Sequence, residues 1–255
     1  MHTEEQFEQL EQEERAITDE AIATMLLILA NTKGVLEKEL RDFYSKYGRD
    51  GVVTYAEAKK WISGSDRRRR INALLQFVQE NFDELQTKLT PEFRGMLEKV
   101  IGKEVTFFDI DSKDVADKPL DESWGTDEKT WKDRLGDDVA LWCAYLLIDI
   151  KQNILKNKSV DEVIAKLSKR FKSMESVLTT LGLSESTAIG SIARRLIFKI
   201  LGINRYQFYT KADERTCEIC GSMHGLIFPL SAYEVGVTAS PLHPRCRCWE
   251  VPIRD

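Results

Sequence analysis

The sequence CEICGSMHGLIFPLSAYEVGVTASPLHPRCRC, residues 217–248, contains four of the protein's five cysteines and two of its three histidines. Cys217 and Cys220 are separated by two residues, a spacing at which two thiolates can bind the same tetrahedral cation. The end of the stretch, HPRCRC, supplies three further candidate ligands: His243, Cys246 and Cys248. Because five residues compete for four positions, the sequence leaves the fourth ligand open between His243 and Cys248.

We interpret this group as a structural zinc site, because a segment with so few apolar residues needs a metal ion to supply folding free energy. One alternative is a small hairpin packed on the rest of the protein, with its thiols reduced or paired. Another is a redox dithiol, which usually lies between a strand and a helix. His224 is a sixth and weaker candidate ligand. Cys143 lies in an apolar helical pattern and is predicted to be a core residue.

Composition excludes some general classes of partner. The chain has 255 residues, a net charge of -5 and a pI near 5.5, so it has no overall attraction to nucleic acid or to an anionic membrane. Its longest apolar runs are shorter than the roughly 20 residues that cross a bilayer. The acidic N-terminus lacks the layout of a secretory signal. We therefore expect a protein made in a cytoplasm, where clustered cysteines are more often metal ligands than disulfides.

Apolar residues at helical spacing predict a helical body before residue 205. One helix is predicted to begin at Thr90-Pro91, and another, which starts at Ser159, is predicted to end at Gly182. After Gly202, the runs RYQFYT, LIF and CWEVPI predict short strands around the cysteines. The predicted fold class is therefore mainly α, a multi-helix body followed by a small, β-containing, zinc-stapled C-terminal module.

Four parts are predicted in chain order. Residues 1–104 form an N-terminal helical region, and residues 105–125 form a strand-like segment, Val105 to Ile110, with an acidic connector. Residues 126–204 form a second helical region, and residues 205–255 form the Cys/His module. The connector lacks the ordered D-x-D-x-D-G pattern of a calcium loop, so we interpret it as a solvated linker.

The C-terminal module resembles the signature of a phage protein family. DERTCEIC, GLIF and PLHPRCRC follow the order D-x-R-T-C-x-x-C, G-x-x-F and HP-x-CRC of the phage Mu F-like minor head proteins, also called phage head morphogenesis proteins. An Arg-Thr-Glu element that many members carry is absent from the corresponding stretch, ARRLIFKILGINRYQFYT. The matching positions are Asp213, Arg215, Thr216, Cys217, Cys220, Gly225, Phe228, His243, Pro244, Cys246, Arg247 and Cys248.

The resemblance implies a structural, non-enzymatic component of the phage head. Its expected partners are the portal protein, capsid or scaffold proteins and packaged DNA, with no membrane. Its expected location is the virion interior, after assembly in the cytoplasm of the bacterial host. The alternative function is a zinc-dependent hydrolase or nuclease-like toxin built on the C-terminal module, in which Glu218 or Glu234 would act as the base.

Two groups of arginines are candidate contacts with DNA or the portal, since a local basic patch can bind phosphates in an acidic protein. The run SDRRRR is the densest, and HPRCRC contributes two more. A solvated helix start is the alternative interpretation of the first group. The candidate residues are Arg67, Arg68, Arg69, Arg70, Arg245 and Arg247.

Overall fold

A computed structural model of the protein describes residues 2–48 and 64–253. Their helices and strands follow one another as α1 (Glu4–Tyr47), α2 (Gly64–Phe107), α3 (Ser112–Val115), α4 (Trp131–Leu155), α5 (Val160–Ile200), β1 (Arg205–Thr210), α6 (Glu218–Met223), β2 (Ile227–Pro229) and β3 (Cys248–Ile253). Short 3-10 helices occur at Lys118–Asp121 and Leu230–Ala232. The predicted fold class, a helical body with a small β-containing C-terminal module, is confirmed.

The three strands form one antiparallel sheet in the order β2-β1-β3. β1 alternates between exposed and buried positions, and the side chains of Tyr206 and Phe208 are completely buried. This period of two is that of a strand with one face on a core. The strands predicted from RYQFYT, LIF and CWEVPI are confirmed within one residue.

The prediction that a helix ends at Gly182 is wrong, because α5 continues to Ile200. A Cβ added at Gly182 would lie 3.0 Å from Cγ1 of Ile22, on α1. Glycine at this position therefore allows close packing of two helices and does not cap one of them. Such a tertiary role has no signature in the local sequence.

The helix start predicted at Thr90-Pro91 is also wrong, since Pro91 lies inside α2. Proline removes one backbone hydrogen bond from a helix and crowds the preceding turn. The hydroxyl of Thr90 donates to the carbonyl of Gln86 at 2.8 Å, which adds a hydrogen bond in this turn. Packing of the apolar residues on both sides, Leu89 and Phe93, offsets the remaining cost, and both are fully buried.

The strand predicted for Val105 to Ile110 is wrong, because α2 extends to Phe107 and a turn follows. Ile101 and Val105 are both buried and are four residues apart, as expected for one face of a helix. The connector beyond it is anchored as well as solvated: Leu120 is buried, and its carbonyl accepts a hydrogen bond from the Trp131 indole at 3.1 Å.

The chain divides into two compact units. The first contains Met1–Ala23, Pro91–Arg134 and Thr179–Asp255, and the second contains Thr24–Thr90 and Leu135–Leu178. The domain bounds predicted in chain order, 1–104, 105–125, 126–204 and 205–255, remain a prediction.

The second unit has an apolar helical core. Phe82 and Phe171 pack with their ring centroids 6.3 Å apart. Cys143 is 3% exposed, and its thiol lies 3.2 Å from Oε1 of Gln79. The core position that the sequence predicted for this cysteine is confirmed.

The first unit is organised around Arg194 of α5, whose side chain is 1% exposed. Its Nη2 donates to Glu11 at 2.8 Å and also to Glu104, while its Nη1 lies 3.6 Å from Oε2 of Glu250. Glu14 is also close, with Oε2 4.0 Å from Nη2. One guanidinium therefore links α1, α2 and β3 to α5, and we call these five residues the Arg194 cluster.

The carboxyl groups of the Arg194 cluster should make stability depend on pH. Burial raises the pKa of Glu11 to about 7, and it also raises the pKa values of Glu14 and Glu104. The folded protein therefore binds more protons than the unfolded chain between pH 4.5 and 7, and its free energy of unfolding decreases as pH rises through this window. We expect a higher urea midpoint at pH 5.5 than at pH 7.5.

The matched variant is Glu14→Gln, which keeps the shape of the side chain and removes one titrating group. It should flatten the dependence of the urea midpoint on pH, while every other titrating residue stays the same. Equal slopes for the variant and the original protein would contradict the assignment of this pH dependence to the Arg194 cluster.

Candidate metal centre

The first two candidate ligands are positioned by a short helix. Cys217 is the N-cap of α6, and its sulfur accepts a hydrogen bond from the backbone amide of Cys220 at 3.4 Å. Cys217 is partly exposed, whereas Cys220 is 2% exposed. The Cys-x-x-Cys spacing thus produces one turn of helix with both thiols at its beginning.

A tight turn positions the next two candidates. The amide of Cys246 donates to the carbonyl of His243 at 3.2 Å, and Arg245 between them has a φ of 61°. This turn is held on α5, because Ser184 accepts a hydrogen bond from the Arg245 amide at 3.1 Å, and Thr187 donates to the carbonyl of Cys246 at 3.4 Å. Because the sequence predicts that this helix ends at Gly182, it does not indicate that Ser184 and Thr187 hold the turn from the same helix.

The fifth candidate, Cys248, is the first residue of β3 and pairs with Thr210 at the end of β1. The register of the sheet therefore fixes the position of its backbone. Phe208 of the same strand packs with Cys220, Cys246 and Cys248 in a small buried cluster. The five predicted metal ligands lie in two overlapping groups, which together we call the cysteine cluster: Cys217, Cys220, His243, Cys246 and Cys248.

Donor atoms in the cysteine cluster lie at distances that suit one metal ion. The sulfurs of Cys220 and Cys246 are 3.7 Å apart, and the Cys220 sulfur is 3.2 Å from Nε2 of His243. Two sulfurs bound at about 2.3 Å to one tetrahedral Zn²⁺ lie about 3.8 Å apart, whereas a disulfide would require about 2.05 Å. All five cysteines lie in the described part of the chain and are free thiols. The cluster is therefore close enough to bind a metal.

The candidate ligands form two overlapping groups in which the donor atoms all lie within 4.8 Å of one another. One group is Cys217, Cys220 and His243, and the other is Cys220, Cys246 and Cys248. Cys220 belongs to both groups and is the central donor. The choice between His243 and Cys248 as the fourth ligand remains a prediction, because each lies in a different group.

Electrostatics inside the cysteine cluster favour the thiolate form of Cys246 over that of Cys248 and Cys220. A hydrogen bond with the Cys248 thiol lowers the pKa of Cys246 to about 6, and the same hydrogen bond raises the pKa of Cys248. Burial raises the pKa of Cys220 to about 12. Binding of a metal cation to these sulfurs would therefore release protons, since the ligands are thiolates.

An ion pair joins the two halves of the signature. Both guanidinium nitrogens Nη1 and Nη2 of Arg247 donate to the carboxylate of Asp213, at 2.7 and 2.6 Å. These hydrogen bonds lower the pKa of Asp213 to about 2. Asp213 also accepts from the amide of Arg215 at 3.0 Å, so it orders the turn before Cys217. The D-x-R-T and CRC motifs are thus complementary parts of one structure.

Two other residues of the sequence pattern have structural roles. Gly225 has a φ of 80°, and its amide donates to the carbonyl of Phe208 at 2.8 Å, a conformation that favours glycine. Nδ1 of His224, the weaker candidate ligand, accepts a hydrogen bond from the amide of Thr210 at 3.2 Å. His224 belongs to neither of the two groups of candidate metal ligands.

The arginines predicted to contact DNA or the portal fall in different units. Arg68 and Arg69 are exposed in the second unit, where Arg70 stacks on Tyr47 with its guanidinium carbon 4.2 Å from the ring centroid. The side chain of Arg67 lies outside the described residues. Arg245 and Arg247 lie in the first unit, beside the cysteine cluster. A contact of either group with DNA or the portal remains a prediction.

Comparison with known families supports the interpretation of the motifs. Residues 146–251 match the model of a family described as Phage Mu protein F like protein. Over these residues the chain resembles that family, and we call them the Mu F-like region. The Mu F-like region begins within α4, includes all of α5 and ends within β3. No curated protein and no solved structure matches the chain.

The matched family is one of structural phage head proteins. The Mu F-like region contains every residue of the cysteine cluster and both halves of the D-x-R-T and CRC signature. None of the helices in the part of the chain that the structure describes is both long and apolar enough to cross a lipid bilayer.

Proposed function

We propose that this protein is a minor head protein that associates with the portal inside the phage head, and that it acts in procapsid assembly and in the fate of packaged DNA. The match of residues 146–251 to the Mu F-like family carries this proposal. The expected partners are the portal protein and capsid or scaffold proteins. The expected location is the virion interior, after assembly in the host cytoplasm.

In this proposal the cysteine cluster holds a structural Zn²⁺. Thiolate and imidazole donors are the ligands that zinc prefers in closed structural sites. Cys217, Cys220 and Cys246 are the proposed constant ligands, with His243 or Cys248 as the fourth. The ion would give the C-terminal module a rigid surface for docking, because it would join α6, the His243–Cys246 turn and the start of β3.

The zinc-dependent hydrolase or nuclease-like alternative needs a base beside an open metal position. Glu218 and Glu234 are the candidates, and both side chains are exposed. Three of the cysteines are buried, at 2% for Cys220, 0% for Cys246 and 3% for Cys248. Buried ligands favour a closed structural site over an open catalytic one, so we propose the structural role alone.

Incorporation into procapsids tests the proposal. The protein should be recovered in purified procapsids when it is expressed with the portal, scaffold and capsid proteins of the same phage. Omission of the portal protein should reduce this recovery at least tenfold, because the portal is the proposed attachment point. An unrelated cytoplasmic protein of similar size, expressed at the same level, measures nonspecific trapping. Equal recovery with and without the portal would contradict portal association.

A further inference from the structure

A basic pocket with a volume of about 210 Å³ opens onto the cysteine cluster in the first unit, and Cys217, Cys220, His243 and Cys248 form part of its lining. Four of its lining side chains are cationic: Lys211, Arg215, Arg245 and Arg247. Among the described residues that line it, none is Asp or Glu. In a protein with a net charge of -5, this local excess of positive charge needs an explanation.

A fifth positive charge approaches the same place from another helix. Arg15, on α1, has its pKa lowered by burial and also by the positive charges of Arg247, Arg215 and Arg245. Asp19 offsets part of this effect, since its Oδ1 lies 3.8 Å from Nε of Arg15. Like charges near one another cost folding free energy unless an anion lies between them.

Two carboxylates of the first unit lie beside basic side chains of the pocket. Asp213 pairs with Arg247 at 2.6 Å, and Glu8 lies 3.7 Å from Lys211. A zinc ion held by three thiolates and one imidazole would add one further negative charge. Arg245 is positioned by a hydrogen bond from its Nε to Oγ1 of Thr180 at 2.9 Å.

The chemistry of the lining indicates the ligand. Arginine guanidinium groups bind phosphate oxygens through paired N–H donors, and lysine binds them as a point charge. Lys211, Arg215 and Arg245 are all exposed, so a ligand can reach them from solvent. The hydroxyl of Thr216, which also lines the pocket, is a further polar group beside them.

We propose that this pocket binds a phosphate group of the DNA backbone. Lys211, Arg215 and Arg245 would contact the phosphate, while Arg247, fixed by Asp213, would hold the pocket beside the cysteine cluster. The choice of DNA as the source of the phosphate rests on the proposed function in the phage head. The lining side chains support the binding of phosphate independently of that function.

The test measures binding of a fluorescein-labelled 20-base-pair duplex to the zinc-loaded full chain by anisotropy, over a series of NaCl concentrations. The double variant Lys211→Gln and Arg215→Gln should weaken binding at least fivefold at low salt. It should also reduce the slope of log K against log salt by about 1 for each lost phosphate contact. The matched control, Lys132→Gln and Lys199→Gln, removes the same charge from exposed positions of the same unit outside the pocket.

The outcomes separate the possible sources of phosphate. Inorganic phosphate should compete with the duplex more strongly than chloride at equal ionic strength. Binding of phosphate without binding of the duplex would overturn DNA as the source. An equal loss in the pocket variant and its control, or no loss in either, would overturn the pocket itself. Incorporation into procapsids is measured separately, so failure here leaves the minor head proposal intact.

Discussion

Replacement of Cys220 by alanine is expected to abolish zinc binding, from about one ion per chain to none. Cys220 is the only residue shared by the two groups of candidate ligands among the described residues, so its loss disrupts both. Its sulfur is 3.7 Å from that of Cys246 and 3.2 Å from Nε2 of His243. The remaining donors would have to converge without the central one.

The loss of the metal should also destabilise the C-terminal module. A ligand present at about 1,000 times its dissociation constant stabilises the folded state by about 4 kcal/mol, and structural zinc is bound more tightly than this in many small domains. Zinc content by elemental analysis and the unfolding midpoint in the presence and absence of a chelator measure the two effects. The chelator should lower the midpoint of the original protein and leave that of Cys220→Ala unchanged.

The matched control is Cys143→Ala, which removes a buried thiol from the second unit. Cys143 is 3% exposed, so this variant also leaves a small cavity, but it should keep a full complement of zinc. Zinc retained by Cys220→Ala, or zinc lost equally from both variants, would contradict the assignment of the metal to the cysteine cluster.

Replacement of Arg194 by methionine is expected to destabilise the first unit by about 3–5 kcal/mol, the usual cost of removing one partner from a buried ionic network. The variant keeps much of the apolar stem and removes the guanidinium. Glu104 and Glu250, both 0% exposed, would then have no compensating positive charge from α5. Urea unfolding measured at pH 7.5 gives the free energy difference.

The neighbouring residue Arg195 provides the control. It pairs with Glu122 at 2.5 Å, but the two side chains are 19% and 34% exposed. Because solvent screens this pair, Arg195→Met should cost no more than about 1 kcal/mol. A second variant, Arg194→Met with Glu104→Gln, should recover part of the lost stability. If the two arginine variants are equally stable, the Arg194 cluster is not the organising feature of this unit.

The cysteine cluster and the sheet could be predicted from sequence because their signals are local. Cys217 and Cys220 lie in one turn, and HPRCRC places the other candidates within six residues. Short runs of aromatic and β-branched residues, bounded by turn residues, predict β1 and β3. Features that depend on one short stretch of chain can be predicted without knowledge of the tertiary structure.

The Arg194 cluster could not be predicted in this way. Arg194 is 183 residues from Glu11 and 90 residues from Glu104, and nothing in the local sequence of either glutamate indicates a buried partner. The same limit explains Gly182, which resembles a helix stop until its contact with Ile22 is known. The boundaries predicted at Pro91 and Val105 are wrong because local propensity favours them, whereas burial of apolar side chains on both sides stabilises one continuous helix.

The ion pair between Asp213 and Arg247 has a consequence for how the protein binds and releases its proposed metal ion. It joins the two segments that carry the candidate ligands through hydrogen bonds that require no metal ion. The metal-free chain would therefore keep its candidate ligands close together. Binding of an ion would then require a local adjustment and not the refolding of the C-terminal module. Depletion and resupply of the metal would then be a reversible cycle.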